Sequence, residues 1–159
     1  MRYHNITKCD LLNGDGIRVV LWISGCRLHC QGCQNPQTWA FNSGIKFDEA
    51  DKVELFEALD KPYIKGLTLS GGNPVDSYDE ILPLVKEVKE RFPTKDIWLY
   101  SGYTLAELEQ NYNEILSYVD VIVDGAYVES CRDVSLHWRG SANQKVYRKV
   151  NSSWVADID

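Results

Sequence analysis

The period of apolar and polar positions changes several times along the chain, and each change marks an element. The run Ile17-Arg18-Val19-Val20-Leu21-Trp22-Ile23-Ser24 is rich in β-branched and aromatic residues and follows the turn-prone Asn13-Gly14-Asp15-Gly16, so it reads as a strand. Tyr3 to Leu12 reads as an earlier strand paired with it across that turn. From Gly25 to Gly44 the periodicity is lost while Cys, Gly, Asn and Pro gather, which predicts a long functional loop. Asp48 stands as an N-cap, and Val53, Leu55, Phe56 and Leu59 fall at helical spacing up to Lys61-Pro62. The pattern then repeats. A strand from Lys65 to Ser70 ends in a Gly-Gly-Asn-Pro turn, and a helix from about Ser77 to Phe92 carries Ile81, Leu84, Val85 and Val88 on its inner face. A strand from Asp96 to Tyr100 follows, then a helix capped by Thr104 and carrying Leu105, Leu108 and Ile115, then the strand Val119 to Val123. The tail after about Trp154 is expected to fray.

Strands separated by helices predict an α/β fold with a mostly parallel sheet, right-handed crossovers, and functional loops at the carboxyl ends of the strands. The cysteine loop, Gly71 to Pro74, Ser101-Gly102 and Asp124-Gly125 all fall at such ends. There are too few βα units for a closed eight-fold barrel, so the expectation is an incomplete, open (βα) barrel, one domain over residues 1–159.

Charge and composition narrow the function classes. A net charge of −6 and a pI near 5.1 argue against a surface that tracks nucleic-acid phosphates. No apolar run has signal-peptide or membrane-spanning length, and the expected location is cytoplasmic, with no membrane partner. Five cysteines, three of them within eight residues, do not form a secreted disulfide pattern; in a reducing compartment such a cluster binds metal.

Gly25-Cys26-Arg27-Leu28-His29-Cys30-Gln31-Gly32-Cys33 presents three thiolates at C-x3-C-x2-C spacing, short enough for one loop to wrap a small iron–sulfur cluster. A four-iron cluster held by three cysteines leaves one iron free to bind substrate. The spacing also leaves open a structural zinc site completed by His29 or Cys131. Leu67-Thr68-Leu69-Ser70-Gly71-Gly72-Asn73-Pro74 ends a strand in a turn whose glycines let a ligand approach the backbone, although such glycines also mark ordinary tight turns.

Together these motifs resemble the radical S-adenosylmethionine superfamily, with C-x3-C-x2-C after one strand and a Gly-Gly motif after the next. The resemblance narrows to the glycyl-radical activating enzymes, and among them to those that serve the anaerobic ribonucleoside-triphosphate reductase. It is carried by Asn13-Gly14-Asp15-Gly16-Ile17-Arg18, Ser24-Gly25-Cys26, Gly32-Cys33-Gln34-Asn35, Thr38-Trp39, Ser70-Gly71-Gly72-Asn73-Pro74, Asp124-Gly125 and Trp138-Arg139-Gly140-Ser141-Ala142-Asn143-Gln144. It implies a radical-SAM domain with a [4Fe-4S] cluster on Cys26, Cys30 and Cys33. S-adenosyl-L-methionine would bind the open iron, with Gly71, Gly72, Asn73 and Pro74 at its amino end and Gly32, Cys33 and Gln34 flanking its adenosine. The implied activity is reductive cleavage of that cofactor to make a glycyl radical on the reductase. The implied partners are the reductase and a small electron-donor protein such as a flavodoxin.

Two departures stand out. Gly32 occupies a position that is often aromatic in the superfamily, and Asn73 stands where an acidic residue is commoner, keeping an acceptor oxygen without the charge. Two other functions stay open: an activator of the formate-lyase type, and a noncatalytic iron–sulfur or zinc protein. Asp124-Gly125 reads as a turn or a ribose contact, Arg139 to Gln144 has no chemistry of its own, and Cys9, Cys131, His4 and His137 read as structural or free rather than as ligands or bases.

Overall fold

The computed structural model describes residues 1–157. Eight strands form one sheet: β1 (Arg2–Asp10), β2 (Arg18–Ile23), β3 (Ile45–Lys46), β4 (Gly66–Gly71), β5 (Asp96–Tyr100), β6 (Val121–Asp124), β7 (Lys145–Val150) and β8 (Ser153–Ala156), in the order β3-β1-β2-β4-β5-β6-β7-β8. The helices are α1 (Glu49–Leu59), α2 (Tyr78–Arg91) and α3 (Leu105–Asn111). The four central strands, β2, β4, β5 and β6, are parallel, as the βα alternation requires. The flanks depart from that pattern, since β1, β3, β7 and β8 each join antiparallel and leave β3 and β8 as open edges.

Two expectations are corrected. The third helix does not run on to Ile115: it stops at Tyr112, and Ile115 lies on a separate 3-10 turn, Asn113–Ser117. The flanking Asn111 and Asn113 are poor helix formers, and the Asn111 side chain already donates to the carbonyl of Glu107 at 3.2 Å. The tail is not frayed at Trp154, because Ser153–Ala156 pairs with β7 through a tight turn in which Asn151 and Ser152 both take positive φ. Residues 158–159 lie outside the described part.

The helices start where the sequence places them. Asp48 and Asp51 form a reciprocal capping box on α1, and Thr104 and Glu107 form another on α3. Alternation along each strand sorts the interior into two faces. Val19, Leu21, Ile23, Leu67, Leu69, Ile97, Leu99 and Ile122 point to the helices and form the main core with Leu55, Leu59, Ile81, Val85, Val88 and Leu108.

The opposite face carries Arg18, Thr68, Trp98, Val121 and Val123. Arg18 is fully buried there. It pairs with Asp96 at 2.7 Å and donates to Thr68 Oγ1 at 2.8 Å and to the carbonyl of Leu67 at 2.9 Å. Its guanidinium lies 5.3 Å from the centre of the Trp98 ring, and that of Arg148 lies 5.2 Å from it. Arg148 in turn holds Asp15 at 2.6 Å. Burial works against the Asp15 charge, but its hydrogen bond and ion pair with Arg148 hold the carboxyl below its ordinary range. This polar plug fills the amino end of the central strands, while their carboxyl ends stay open.

Candidate active site

At those carboxyl ends lies an open cavity of about 470 Å³. Cys26, Cys30, Cys33 and Gln34 of the cysteine loop line it, with Gly71, Gly72 and Asn73 after β4, Ser101 and Gly102 after β5, and Gly125 after β6. The four loops expected at one face therefore do meet. Gly32 and Pro74 do not reach the wall: Gly32 faces solvent beside Glu129, and Pro74 is buried at the start of the 3-10 turn Pro74–Ser77.

The cysteine loop is pinned at its base. Gly25 and Cys26 donate to the carbonyls of Thr38 and Trp39 at 2.7 and 3.0 Å, and Ser24 Oγ donates to the carbonyl of Ser43 at 2.9 Å. Between these anchors the chain turns through positive φ at Gly25, His29 and Gly32. Burial pushes the Cys26 thiol up, opposed by the backbone N–H groups of His29 and Leu28. The N–H of Asn35 donates to Cys33 Sγ at 3.4 Å.

The Gly-Gly motif serves this loop directly. Gly71 has φ +105°, and a Cβ there would stand 2.5 Å from the backbone nitrogen of Ile23. A Cβ on Gly72 would stand 2.4 Å from the carbonyl oxygen of Gly25, to which Asn73 N–H donates at 2.8 Å. The glycines thus let the end of β4 press against the root of the cysteine loop.

Asn73 is buried and spoken for on both sides. Its Oδ1 accepts from Ser101 Oγ at 3.0 Å, and its Nδ2 donates to Asp76 Oδ2 at 3.3 Å. Asp76, which the sequence did not single out, also accepts from the N–H of Arg27 at 2.9 Å and from Tyr103 OH at 2.7 Å. A second carboxylate at position 73 would face that of Asp76, which gives a physical reason for the amide found here. Asp124 is likewise structural: it accepts from the N–H groups of Leu105 and Lys145 at 2.7 and 3.1 Å and is absent from the wall. Burial raises its pKa against those two bonds.

The late segment, residues 125–144, folds back over the cavity and contributes Tyr127, Leu136, Trp138, Arg139, Gly140 and Gln144 to its wall. Gln144 Oε1 accepts from the N–H groups of Gly140 and Ser141 at 3.0 and 3.1 Å, and its Nε2 donates to the carbonyl of Gly125 at 2.8 Å, closing the segment into a loop.

The donor set on the wall is three thiols. Cys26, Cys30 and Cys33 all reach one cavity, and among the described residues no other Cys, and no His, Asp or Glu, lines it. The two candidates for a fourth ligand are also off the wall. His29 stacks on Trp39 with ring centres 4.7 Å apart, and Cys131 sits half-buried on a 3-10 turn. Cys9 is an exposed free thiol. No helix among the described residues is long and apolar enough to cross a membrane.

Comparison with known proteins agrees with the donor set. The model of the family described as "4Fe-4S single cluster domain" matches residues 12–147, which places the chain among single-cluster iron–sulfur proteins. The chain is also 45% identical over 159 residues to the anaerobic ribonucleoside-triphosphate reductase-activating protein of Enterobacteria phage T4, covering 99% of this chain and 100% of that one. It is 44% identical to the protein of that name from Pasteurella multocida and 40% identical to that from Escherichia coli K12, covering 93% and 92% of this chain and 98% of each relative. The chain belongs to the family of anaerobic ribonucleoside-triphosphate reductase-activating proteins.

Proposed function

We propose that this protein activates an anaerobic ribonucleoside-triphosphate reductase by radical chemistry, with a [4Fe-4S] cluster on Cys26, Cys30 and Cys33 and S-adenosylmethionine in the adjoining cavity. The single observation that carries this is the convergence of three cysteines on the wall of one open cavity beside the Gly-Gly turn, which among the described residues no other Cys, and no His, Asp or Glu, lines. When bound, the cluster and cofactor would supply one-electron reductive cleavage of the sulfonium and, through it, removal of a hydrogen atom from a backbone glycine of the reductase.

The chain's own residues bind and position. The cysteine loop, fixed at Thr38, Trp39 and Ser43, holds the thiolates on one wall. Gly71 and Gly72 bring the β4 turn against it and leave backbone groups facing the cavity. Asn73 braces that turn through Ser101 and Asp76, and its Oδ1 keeps a second lone pair for the methionine ammonium. Trp39 Nε1 and Tyr100 OH lie buried near the cavity without a protein partner, so a polar ligand would satisfy them. The sheet's open edges fit an incomplete barrel, whose uncovered side admits the reductase's glycine-bearing loop. The reductase names carried by the relatives favour it over a formate-lyase as target. A small redox protein of the flavodoxin type would supply the electron.

The test is product formation. Cluster-loaded, reduced protein mixed anaerobically with S-adenosylmethionine is expected to yield 5′-deoxyadenosine and methionine, and protein without the cluster none. A fully loaded and reduced sample that yields neither would contradict this function.

A further inference from the structure

We propose that Tyr127 is the aromatic platform against which the adenine of S-adenosylmethionine stacks, an inference that rests on reading the cavity as the cofactor site. A purine held in a partly apolar cavity gains most from an aromatic face laid against its own. Five aromatic side chains reach the wall: Trp22, Trp39, Tyr100, Tyr127 and Trp138. Three of them pack against other side chains through their rings, and a fourth is fixed on β2 through its indole N–H. Trp39 is stacked on His29, and Trp138 packs edge-on against Trp98 with ring centres 5.7 Å apart. Tyr100 packs into the cluster around Trp98, and Trp22 is tied through Nε1 to Thr7 Oγ1 at 2.8 Å.

Tyr127 is held differently, between two glycines. A Cβ on Gly32 would stand 3.2 Å from its Cε1, and one on Gly140 would stand 3.1 Å from its Cε2, so the missing side chains leave room for the ring. The hydroxyl donates to Glu129 Oε2 at 2.7 Å. The ring lines the cavity, and among the described residues no other aromatic ring stacks on it.

Its position bears on both glycines. The Cβ direction of Gly32, the residue before Cys33, is blocked by Glu129 and by the Tyr127 ring, and its φ is +78°. A side chain at position 32 would be strained by that φ and would meet the Tyr127 ring, which the late segment lays beside the cysteine loop. Gly140 leaves room for the same ring.

The experiment is anaerobic equilibrium dialysis of radiolabelled S-adenosylmethionine against cluster-loaded, unreduced protein, so that binding is read without turnover. Tyr127→Phe keeps the ring and is expected to bind within about twofold of wild type, whereas Tyr127→Leu is expected to bind at least about fivefold more weakly at unchanged iron and sulfide content. Leu binding as tightly as wild type, or Phe losing as much as Leu, would overturn the platform role. If the Leu variant fails to load its cluster, Gly140→Ala replaces it: the added methyl tilts the ring, and binding should fall by about threefold or more. Unchanged binding by that variant also counts against the proposal. Wild-type protein that retains no cofactor would overturn the cofactor reading together with this inference; wild-type binding with an unaltered Leu variant would overturn this inference alone.

Discussion

Alanine at Cys26, Cys30 or Cys33 is expected to abolish cluster loading, with iron and sulfide falling from about four each per chain to near background and the visible absorbance of the cluster lost. Each thiol is one of only three protein ligands in the proposed set, so no neighbour can replace it. Among the described residues no further His, Cys, Asp or Glu lines the cavity. Alanine at Cys9 or Cys131 should leave loading unchanged, since Cys9 is an exposed free thiol and neither lines the cavity. Loss of the cluster in Cys131→Ala would reinstate a four-ligand site and remove the open iron on which the chemistry depends.

The second large effect is on stability. Replacing Arg18 by Met keeps most of the volume but leaves Asp96 without its ion pair and strips the donors from Thr68 Oγ1 and the Leu67 carbonyl. Arg18 is fully buried and Asp96 is 24% exposed, so the stranded carboxylate is poorly solvated. Breaking one side of such a pair costs about 3–5 kcal/mol. Arg148→Met disturbs the same tryptophan from a position 34% exposed, where solvent screens the lost pair, and should cost roughly 1 kcal/mol or less. Urea denaturation of both variants under reducing conditions checks the contrast; equal, small losses would mean that the plug does not hold the amino end of the sheet.

The parts legible in the sequence were those whose signal is local. Three cysteines on one aperiodic loop announce a metal-binding site by their spacing, and the neighbouring Gly-Gly motif narrows it to an iron–sulfur cluster. The central strands and α2 announce themselves through unbroken apolar periods, and their ends fall within a residue or two of the expected ones. On the flanks, β1 was legible as a strand paired with β2 across the Asn13-Gly14-Asp15-Gly16 turn, whereas β3, β7 and β8 were hidden for physical reasons. The β3 strand is only two residues long, and the β7–β8 hairpin turns at Asn151-Ser152, which adopts positive φ without the glycine that usually marks such a turn. The break at Tyr112 competes with an apolar period that runs on to Ile115.

Within the site, the hidden residues are those whose meaning depends on a distant segment. Gly72 is explained by the carbonyl of Gly25 and Gly32 by Tyr127 and Glu129; at the opposite end of the sheet, Arg18 is likewise explained by Asp96. Asp76 was hidden because its partners Arg27, Asn73 and Tyr103 meet only in the fold. Pattern along a chain reports which face a residue takes, and it is silent on which residue arrives opposite.

The central claim is that a hydrogen atom passes from a glycine of the reductase to the adenosyl group held in this cavity. Its most direct measurement is isotope transfer: reductase labelled with α-deuterated glycine, mixed anaerobically with the reduced, cluster-loaded protein and S-adenosylmethionine, with the 5′-deoxyadenosine examined by mass spectrometry. The expected result is 5′-deoxyadenosine carrying one transferred deuterium, formed together with a glycyl radical signal on the reductase. Unlabelled 5′-deoxyadenosine would contradict the claim, because the adenosyl group would then have drawn its hydrogen from elsewhere.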